Sequence, residues 1–482
     1  MTAMVDQREQ VIAAGDLLAE ARRVSSGSDP VSLVDWYAPP RAASGAPGAA
    51  ILQLRSQTGR RLQWTVADAE ELPSLSSIWP AVSWPQREAV ERIGLRFSGE
   101  PPPTPLWSAA VRAAQDEEDG ADDGGAADGF VNLGDPGITT PWRLDLRVRL
   151  RHGIIELAQA TPGKTHSGFE ALATRHGYAQ LPALAEGLNE QAPFAVGLAA
   201  ILAVEGILGA EPSPRCRWLR MLVAETSRIG AHCAWLATQA SHDQALWGEA
   251  LVTREVVARL LGDICGRRWA TGVHRIGGIH ADVTGNSAGL LTELSAAVDA
   301  LDKAAHRHLL DSRSWRRRFS GVAAVDADTA QDWALTGPTL RATGVAHDVR
   351  RDVPYLDYAD LDFEVPTGTN GDVQDRVAVR LAEMQQSVSL CRQCLRDLPE
   401  GPTELESAGF TDGAVAGVAE MIGHFELWMD GHGHRTTPGS KSLPTESADG
   451  ELAMWLSADG TGKPVAVHLR SPSLYHFQLL QH

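Results

Sequence analysis

The chain has 482 residues, with 43 Lys and Arg against 61 Asp and Glu, a net charge of −18, and 43% hydrophobic residues. That length and composition exclude a disordered chain, and the acid excess excludes a nucleic-acid partner, which needs a basic face. Five Cys are too few for a disulfide scaffold and point to a reducing compartment, while the 14 Trp carry no functional signal of their own.

In chain order, the pattern predicts a helix over Gln7–Arg23 and a strand over residues 49–55 (AAILQLR). Two breaks follow, EPPPTP at 100–105 and the acidic Gly/Ala-rich stretch 115–129, which reads as a linker. The organisation expected is a module over 1–112, a linker over 113–134 and a main domain over 135–482. The main domain opens with Leu144, Leu146, Val148 and Leu150 in period two, then a turn at residues 151–153 and IIELAQA, the pattern of a β-hairpin. Its longest apolar run, Ala192–Val204, is short of the roughly 20 residues a membrane span needs and reads as a core helix. Apolar stripes from Leu219 to Leu236 and from Val377 to Leu398 predict two long helices, and residues 450–473 predict two strands around a Gly-rich turn. The fold class expected is α+β: a central helical bundle with β-structure at its N- and C-terminal margins, plus a small N-terminal α+β module.

Generic catalytic motifs fail on context. Gly285-Asn-Ser-Ala-Gly289 has the spacing of a nucleophile elbow but lacks a buried strand before it, and reads as a helix cap instead. Cys391 and Cys394 form a C-x-x-C inside a helix, with Cys391 on the apolar seam, and so read as core cysteines. His424, His432 and His434 lack a carboxylate partner, and Gly460–Lys463 lacks phosphate-loop spacing. No metal site is expected.

Several blocks, in order, do carry a family signal: HSGFE (His166–Glu170), Leu202–Pro212, the E-x-x-R-I-x-x-H run Glu225–His232, Arg275–Ile279, Thr336–Gly344 running on to Arg376, and Pro444–Leu452. Together they resemble the D-type subunit of proton-pumping NADH:quinone oxidoreductase (respiratory complex I), a relative of the nickel–iron hydrogenase large subunit. Leu72–Gly99, with Trp84, Arg87, Glu88 and Gly94, resembles the end of the C-type subunit of that complex. A C-type piece joined to a D-type piece is similar to the fused large subunit of formate-hydrogenlyase-type hydrogenases. The resemblance implies a hydrogenase-large-subunit-like fold on the cytoplasmic side of a membrane complex. It also implies an iron–sulfur partner of the B-type or hydrogenase small-subunit kind, membrane subunits, and a quinone-like cavity beside the partner's cluster.

Alignment with the family also shows departures. The quinone-binding His falls on Pro141, beside Thr140; the quinone-binding Tyr falls on Glu190, its neighbouring Asp on Asn189, and a His near the terminal cluster on about Ala270. Pro and Ala cannot donate a side-chain proton, and Glu190 can only when protonated. Asn189, Glu190 and His166 are therefore the expected cavity positions, and Arg275, Thr140 and Pro141 the expected positions near cluster or quinone. A nickel–iron centre needs two C-x-x-C pairs, and residues 189–192 read Asn-Glu-Gln-Ala where the first belongs, so none is expected. No cofactor is expected to be held by this chain alone. Two readings stay open: a redox-competent quinone-site subunit, or a structural paralogue that keeps subunit contacts only.

Two further sets divide between alternatives. Glu225, Arg228 and His232 share one helix face, either as a solvated ladder or as a buried network with each charge paired. Arg275 either presents its guanidinium at a close backbone approach or belongs to a helix C-cap. Arg350, Arg351, Asp352, Asp372, Asp375 and Arg376 form a mixed-charge set suited to a subunit interface.

Overall fold

The computed structural model describes residues 8–39, 50–66, 69–99, 106, 130–132, 145–163, 166–240, 243–404, 418, 422, 434 and 436–481. These fall into two compact units: residues 169–327 with 336–470, and residues 4–168 with 328–335 and 471–482. The expected α+β class holds.

The second unit is built on a four-stranded sheet of β1 (Arg8–Ile12), β2 (Val31–Tyr37), β3 (Ala50–Ser56) and β4 (Arg61–Val66), ordered β1-β4-β3-β2. The opening helix expected over Gln7–Arg23 is therefore corrected. Arg8–Ile12 is a strand paired in parallel with Leu62–Val66, and the helix α1 is Leu17–Ser25. A local pattern cannot reveal a pairing partner about 50 residues away. The strand expected at 49–55 is β3. Helix α2 (Ser83–Ile93) ends at Gly94 in the left-handed conformation, and Trp36, Trp64, Trp79 and Trp84 are all buried in this unit. The hairpin expected around residues 151–153 forms as Asp145–Arg151 paired with Ile154–Thr161.

The other unit is a helical bundle against a small sheet. Helix α3 (Pro193–Leu208) starts on a proline, is apolar on every side and is accordingly buried nearly all round. Helix α4 (Pro214–Gln239) starts where Ser213 Oγ accepts the Cys216 N–H, and α5 (Gln244–Cys265) where Asp243 accepts from Ala245 and Leu246. Helix α6 spans Ser287–Ala305; α7 (Val373–Arg396) is capped by Asp372, which accepts from the Asp375 N–H. Helix α4 packs between α5 and α7, and both long stripes read from the sequence lie in this core. At the C-terminal end of this unit, β5 (Gly439–Ser447), β6 (Gly450–Ala458) and β7 (Ala466–Arg470) form an antiparallel meander on α3. The last two are the expected strands. Strand β5 was not anticipated: Pro444 sits within it, tolerated because β5 is an edge strand.

The turn between β5 and β6 touches the short helix Gly337–Arg341 backbone to backbone. Gly450 has φ +132°, and a Cβ there would lie 2.5 Å from Thr336 Oγ1 and 2.9 Å from Gly337 N. This approach fixes the helix that ends in Arg341. Gly450→Ala should destabilise the chain by roughly 3 kcal/mol through clash and strain, whereas Gly248→Ala, with open space around it in α5, should be neutral or mildly stabilising. Equal denaturant midpoints for the two variants would contradict the close approach.

Candidate functional site

Helix α4 presents Glu225, Arg228 and His232 inward, and the structure resolves their alternatives: all three are buried in a paired network. Arg350 Nη1 lies 2.9 and 3.0 Å from the two Glu225 oxygens, and its Nε and Nη2 grip Asp348 at 3.0 and 2.7 Å. Tyr358 and Ser387 hydroxyls each donate to Glu225 at 2.7 Å. Arg228 donates to Glu383 at 2.6 Å, and Arg341 binds Glu383 at 2.8 Å and Glu446 at 2.9 Å. Charges this deep cost several kcal/mol each unless paired and hydrogen-bonded, which these are.

Electrostatics follow from the pairing. Burial opposes the charge on Glu225 and Glu383, but the neighbouring guanidiniums win and hold both carboxyls below their usual range. His232 Nδ1 lies 3.2 Å from Arg380 Nη1 and its Nε2 lies 3.2 Å from Glu383. An imidazole that accepts from a guanidinium is neutral with its proton on Nε2, and burial takes its pKa down to about 4. Glu446 moves the other way: burial, then the Asp348 carboxylate, raise it against the pull of Arg341.

A small cavity opens on this network. Ala192, Ala195 and Leu198 from the start of α3, Ser227 and Arg228 from α4, and Glu446 to Ala448 from β5 and the turn after it form its walls. It has room for about one water-sized group. The Ser227 hydroxyl, 8% exposed at residue level, has no hydrogen-bond partner among the described residues.

Two buried carboxylates hold the segment before α6. Glu205 pairs with both Arg220 amino groups at 2.7 Å and accepts the Gly277 N–H at 2.7 Å. Glu186 accepts the Gly272 N–H at 2.6 Å, and His274, driven down to about 3 by burial, lies 4.0 Å from it.

The sequence-derived positions separate. Asn189 Oδ1 accepts the Gln191 and Ala192 N–H groups, so it shapes the turn into α3; Glu190 is exposed. His166 is exposed and belongs to the other unit. Thr140 and Pro141 lie outside the described residues, as do His424 and His432. Arg275 is exposed in a two-strand hairpin, His274–Arg275 with Gly278–Ile279, and donates to the Gly272 and His274 carbonyls. The C-cap alternative for it is thereby corrected, because α5 has already ended at Gly266. Ala270 is fully buried. Ser287 Oγ donates to Asp263 at 2.6 Å and accepts the Thr284 N–H, so no imidazole stands between hydroxyl and carboxylate. Cys391 and Cys394 are buried thiols, and burial takes Cys391 up to about 12. Among the described residues no group of three or more His, Cys, Asp or Glu is arranged to hold a metal ion, and no helix is long and apolar enough to cross a membrane.

Comparison with known proteins supplies the family. Residues 245–482 match the respiratory-chain NADH dehydrogenase 49 Kd subunit, and residues 8–110 the 30 Kd subunit. The D subunit of the Pelobacter propionicus NADH-quinone oxidoreductase is 32% identical over 353 residues, covering 72% of this chain and 87% of that protein. The second D-type subunit of a Roseiflexus species is 34% identical over 353 residues, covering 69% and 84%. The first D-type subunit of Roseiflexus castenholzii is 34% identical over 360 residues, with the same coverage of 69% and 84%. The chain belongs to the D-subunit family of NADH-quinone oxidoreductases. It carries a 30 Kd-type segment ahead of its D-type segment, the fused arrangement expected.

Within this D-type chain, sequence reasoning missed Arg220, Arg341, Asp348, Glu383 and Glu446. Isolated charges inside apolar helix stripes, such as Arg220 between Leu219 and Met221, were the available signal. The mixed-charge set assigned to an interface is also corrected in part: Arg350 is buried in the network and Asp372 caps α7.

Two outcomes follow. Arg341→Met should destabilise the chain by about 3–5 kcal/mol, since Glu383 and Glu446 lose a shared partner in a buried site; a loss below about 1 kcal/mol in urea titration would refute that pairing. The acid side is governed first by histidine. His232 and His274 have folded pKa values of about 4 and about 3 against an ordinary 6.5, so the unfolded chain binds more protons between those limits. Their contribution is complete above pH 6.5 and is lost as pH falls, each with a slope of up to about 1.4 kcal/mol per pH unit. Glu225 and Glu383 add the same sign below 4.5, while Glu446, raised, loses stability as pH climbs above 4.5. Urea midpoints from pH 8 to 5 should fall once pH drops below 6.5; a flat profile would rule out the buried neutral imidazoles.

Proposed function

We propose that the chain is a peripheral-arm subunit of a membrane-associated NADH:quinone oxidoreductase or formate-hydrogenlyase-like complex. In this reading residues 1–112 act as a C-type module joined by 113–134 to a D-type domain over 135–482. The chain shapes a quinone-like cavity beside an iron–sulfur cluster held by a B-type or hydrogenase small-subunit-like partner, on the cytoplasmic side. The observation that carries the reading is the start of α3, where Asn189 fixes the turn and the Glu225–Arg228–Glu446 network lies immediately behind, across a water-sized cavity walled by Ala192 and Ala195. Such an end can hold a planar ligand in place while a partner supplies electrons and solvent or side chains supply protons.

Glu190 is the titratable group at that end and is exposed, so in this proposal it faces the quinone oxygen and exchanges a proton with it. The competing reading, a structural or assembly paralogue without redox chemistry, is favoured by one observation: the Asn189 side chain is occupied by backbone amides. Purifying the chain with its native partners and measuring quinone reduction separates the two. Wild-type turnover that Glu190→Gln lowers at least tenfold supports the proposal. A complex that needs the chain for assembly but reduces no quinone establishes the structural role instead, and turnover indifferent to Glu190→Gln removes Glu190 from the site.

A further inference from the structure

The buried network is unequal in charge. Three guanidiniums, Arg228, Arg341 and Arg350, face four carboxyls, Glu225, Asp348, Glu383 and Glu446, and every one of these residues is 8% exposed or less. The adjacent imidazole, His232, accepts from Arg380 and so adds no charge, while Arg380 itself is matched by Asp449 at 3.0 Å. Beside them Glu451 and His347, both buried, face each other at 3.6 Å. With all four carboxyls ionised the seven side chains of the cluster would hold one negative charge too many in a buried site, a costly state that a single bound proton relieves.

Geometry selects the carboxyl that takes the proton. Glu225 has Arg350 and two hydroxyl donors; Asp348 has two nitrogens of Arg350 and the Arg350 backbone N–H. Glu383 is bound by both Arg228 and Arg341. Glu446 is left with Arg341 Nη1, which also serves the His347 carbonyl, and the Val349 N–H at 3.2 Å. The ionisable groups around it are Arg228 from α4, Arg341 from its short helix, His347 and Asp348 from the loop beyond, and Glu451, its cross-strand neighbour on β6, which lies 3.6 Å from His347 Nε2; the Tyr355 hydroxyl accepts its backbone N–H. Glu446 is thus the least compensated of the four. It is also one of the two carboxylic acids, with Glu225, that line the cavity, where the partnerless Ser227 hydroxyl offers a water a second anchor.

We propose that the network carries one exchangeable proton on Glu446 and passes it, through water in the α3–α4–β5 cavity, to the reduction site at the start of α3. This rests on the reading that quinone is reduced there. As the two quinone carbonyl oxygens gain two electrons from the partner's iron–sulfur carrier, the Glu446 O–H gives its proton to the cavity water while that water gives one of its own to a quinone oxygen. The second proton comes from solvent at the cavity mouth. Glu446 is left as a carboxylate facing Arg341, and it recovers its proton from solvent by the same water. Burial raises Glu446 and so favours the protonated form that the unequal charge of the cluster also calls for.

Infrared difference spectroscopy on the purified native complex tests the proton directly, without quinone. A neutral carboxyl C=O stretch, shifted in D2O and titrating above the ordinary Glu range, is expected at pH 7 in wild type and in Glu190→Gln, and absent in Glu446→Gln. No such band in wild type, or its persistence in Glu446→Gln, overturns the proposal; Glu446→Asp, which keeps a carboxyl, should shift the band in frequency, and a band unmoved in Glu446→Asp overturns it where Glu446→Gln fails to fold. Quinone turnover tests delivery: Glu446→Gln should lower kcat at least tenfold with quinone KM unchanged and abolish the alkaline fall of the kcat–pH profile. A lost band with unchanged kcat overturns delivery. If the band is present but the wild-type complex reduces no quinone, the assignment of a quinone site to the start of α3 fails, and with it delivery, while the proton on Glu446 stands.

Discussion

The helical unit depends on the pairing of Arg341 with Glu383 and Glu446. Arg341 ends a short helix, Glu383 lies mid-way along α7, and Glu446 lies near the end of β5, so one guanidinium ties three elements far apart in sequence. Apolar packing is non-directional and tolerates sliding of one helix on another, whereas a buried guanidinium accepts few geometries. Through Glu383 the constraint reaches Arg228 and His232 on α4, and through Asp348 it reaches Arg350 and Glu225. The backbone contact of Gly450 with Thr336 and Gly337 belongs to the same arrangement, because it sets the height of the helix that delivers Arg341. An ion-pair network of this kind is a poor source of net stability and a strong source of register, which suits a cavity whose wall residues must stay in place.

What could be read from residues alone divides along the range of the interactions involved. The hairpin at 145–161, the long helices α4 and α7, and the strands β6 and β7 announce themselves through local period and turn chemistry. Arg8–Ile12 does not, because its strand state is imposed by parallel pairing with Leu62–Val66. The Glu225–Arg228–His232 face shows the same limit in the site. A charged i, i+3, i+7 ladder looks alike whether it meets water or a second set of charges, and the partners that decide it stand 125 to 155 residues further on. The family blocks span Glu225, Arg341, Asp348 and Glu446 without showing that they meet, and Glu383 lies outside every block.

Part of the Trp content and all five Cys serve packing. Trp64 and Trp79 meet at 6.5 Å between ring centroids, Trp36 meets Phe97 at 5.8 Å and Trp84 meets Phe477 at 5.6 Å, all within the smaller unit. A small sheet unit buries a limited fraction of its surface, and bulky rings raise the apolar area covered per residue. All five Cys are buried and unpaired; for four of them burial takes the thiol up to about 11 or about 12, leaving little thiolate for metal or redox chemistry at neutral pH.

The departures at the start of α3 change what the rest of the site has to do. Where the family resemblance places a Tyr hydroxyl, this chain has a carboxyl group at Glu190. A carboxyl group donates only once it is protonated, so a reduction at this end draws its protons through that group from solvent or from a second donor behind it. Among the described residues, the network behind the cavity is where a surplus of carboxyl over guanidinium is sealed from bulk water yet meets a cavity wall. The excess of acid that is only a solubility feature over the whole chain becomes, at Glu446, a reason for a side chain to hold a proton it would otherwise have lost.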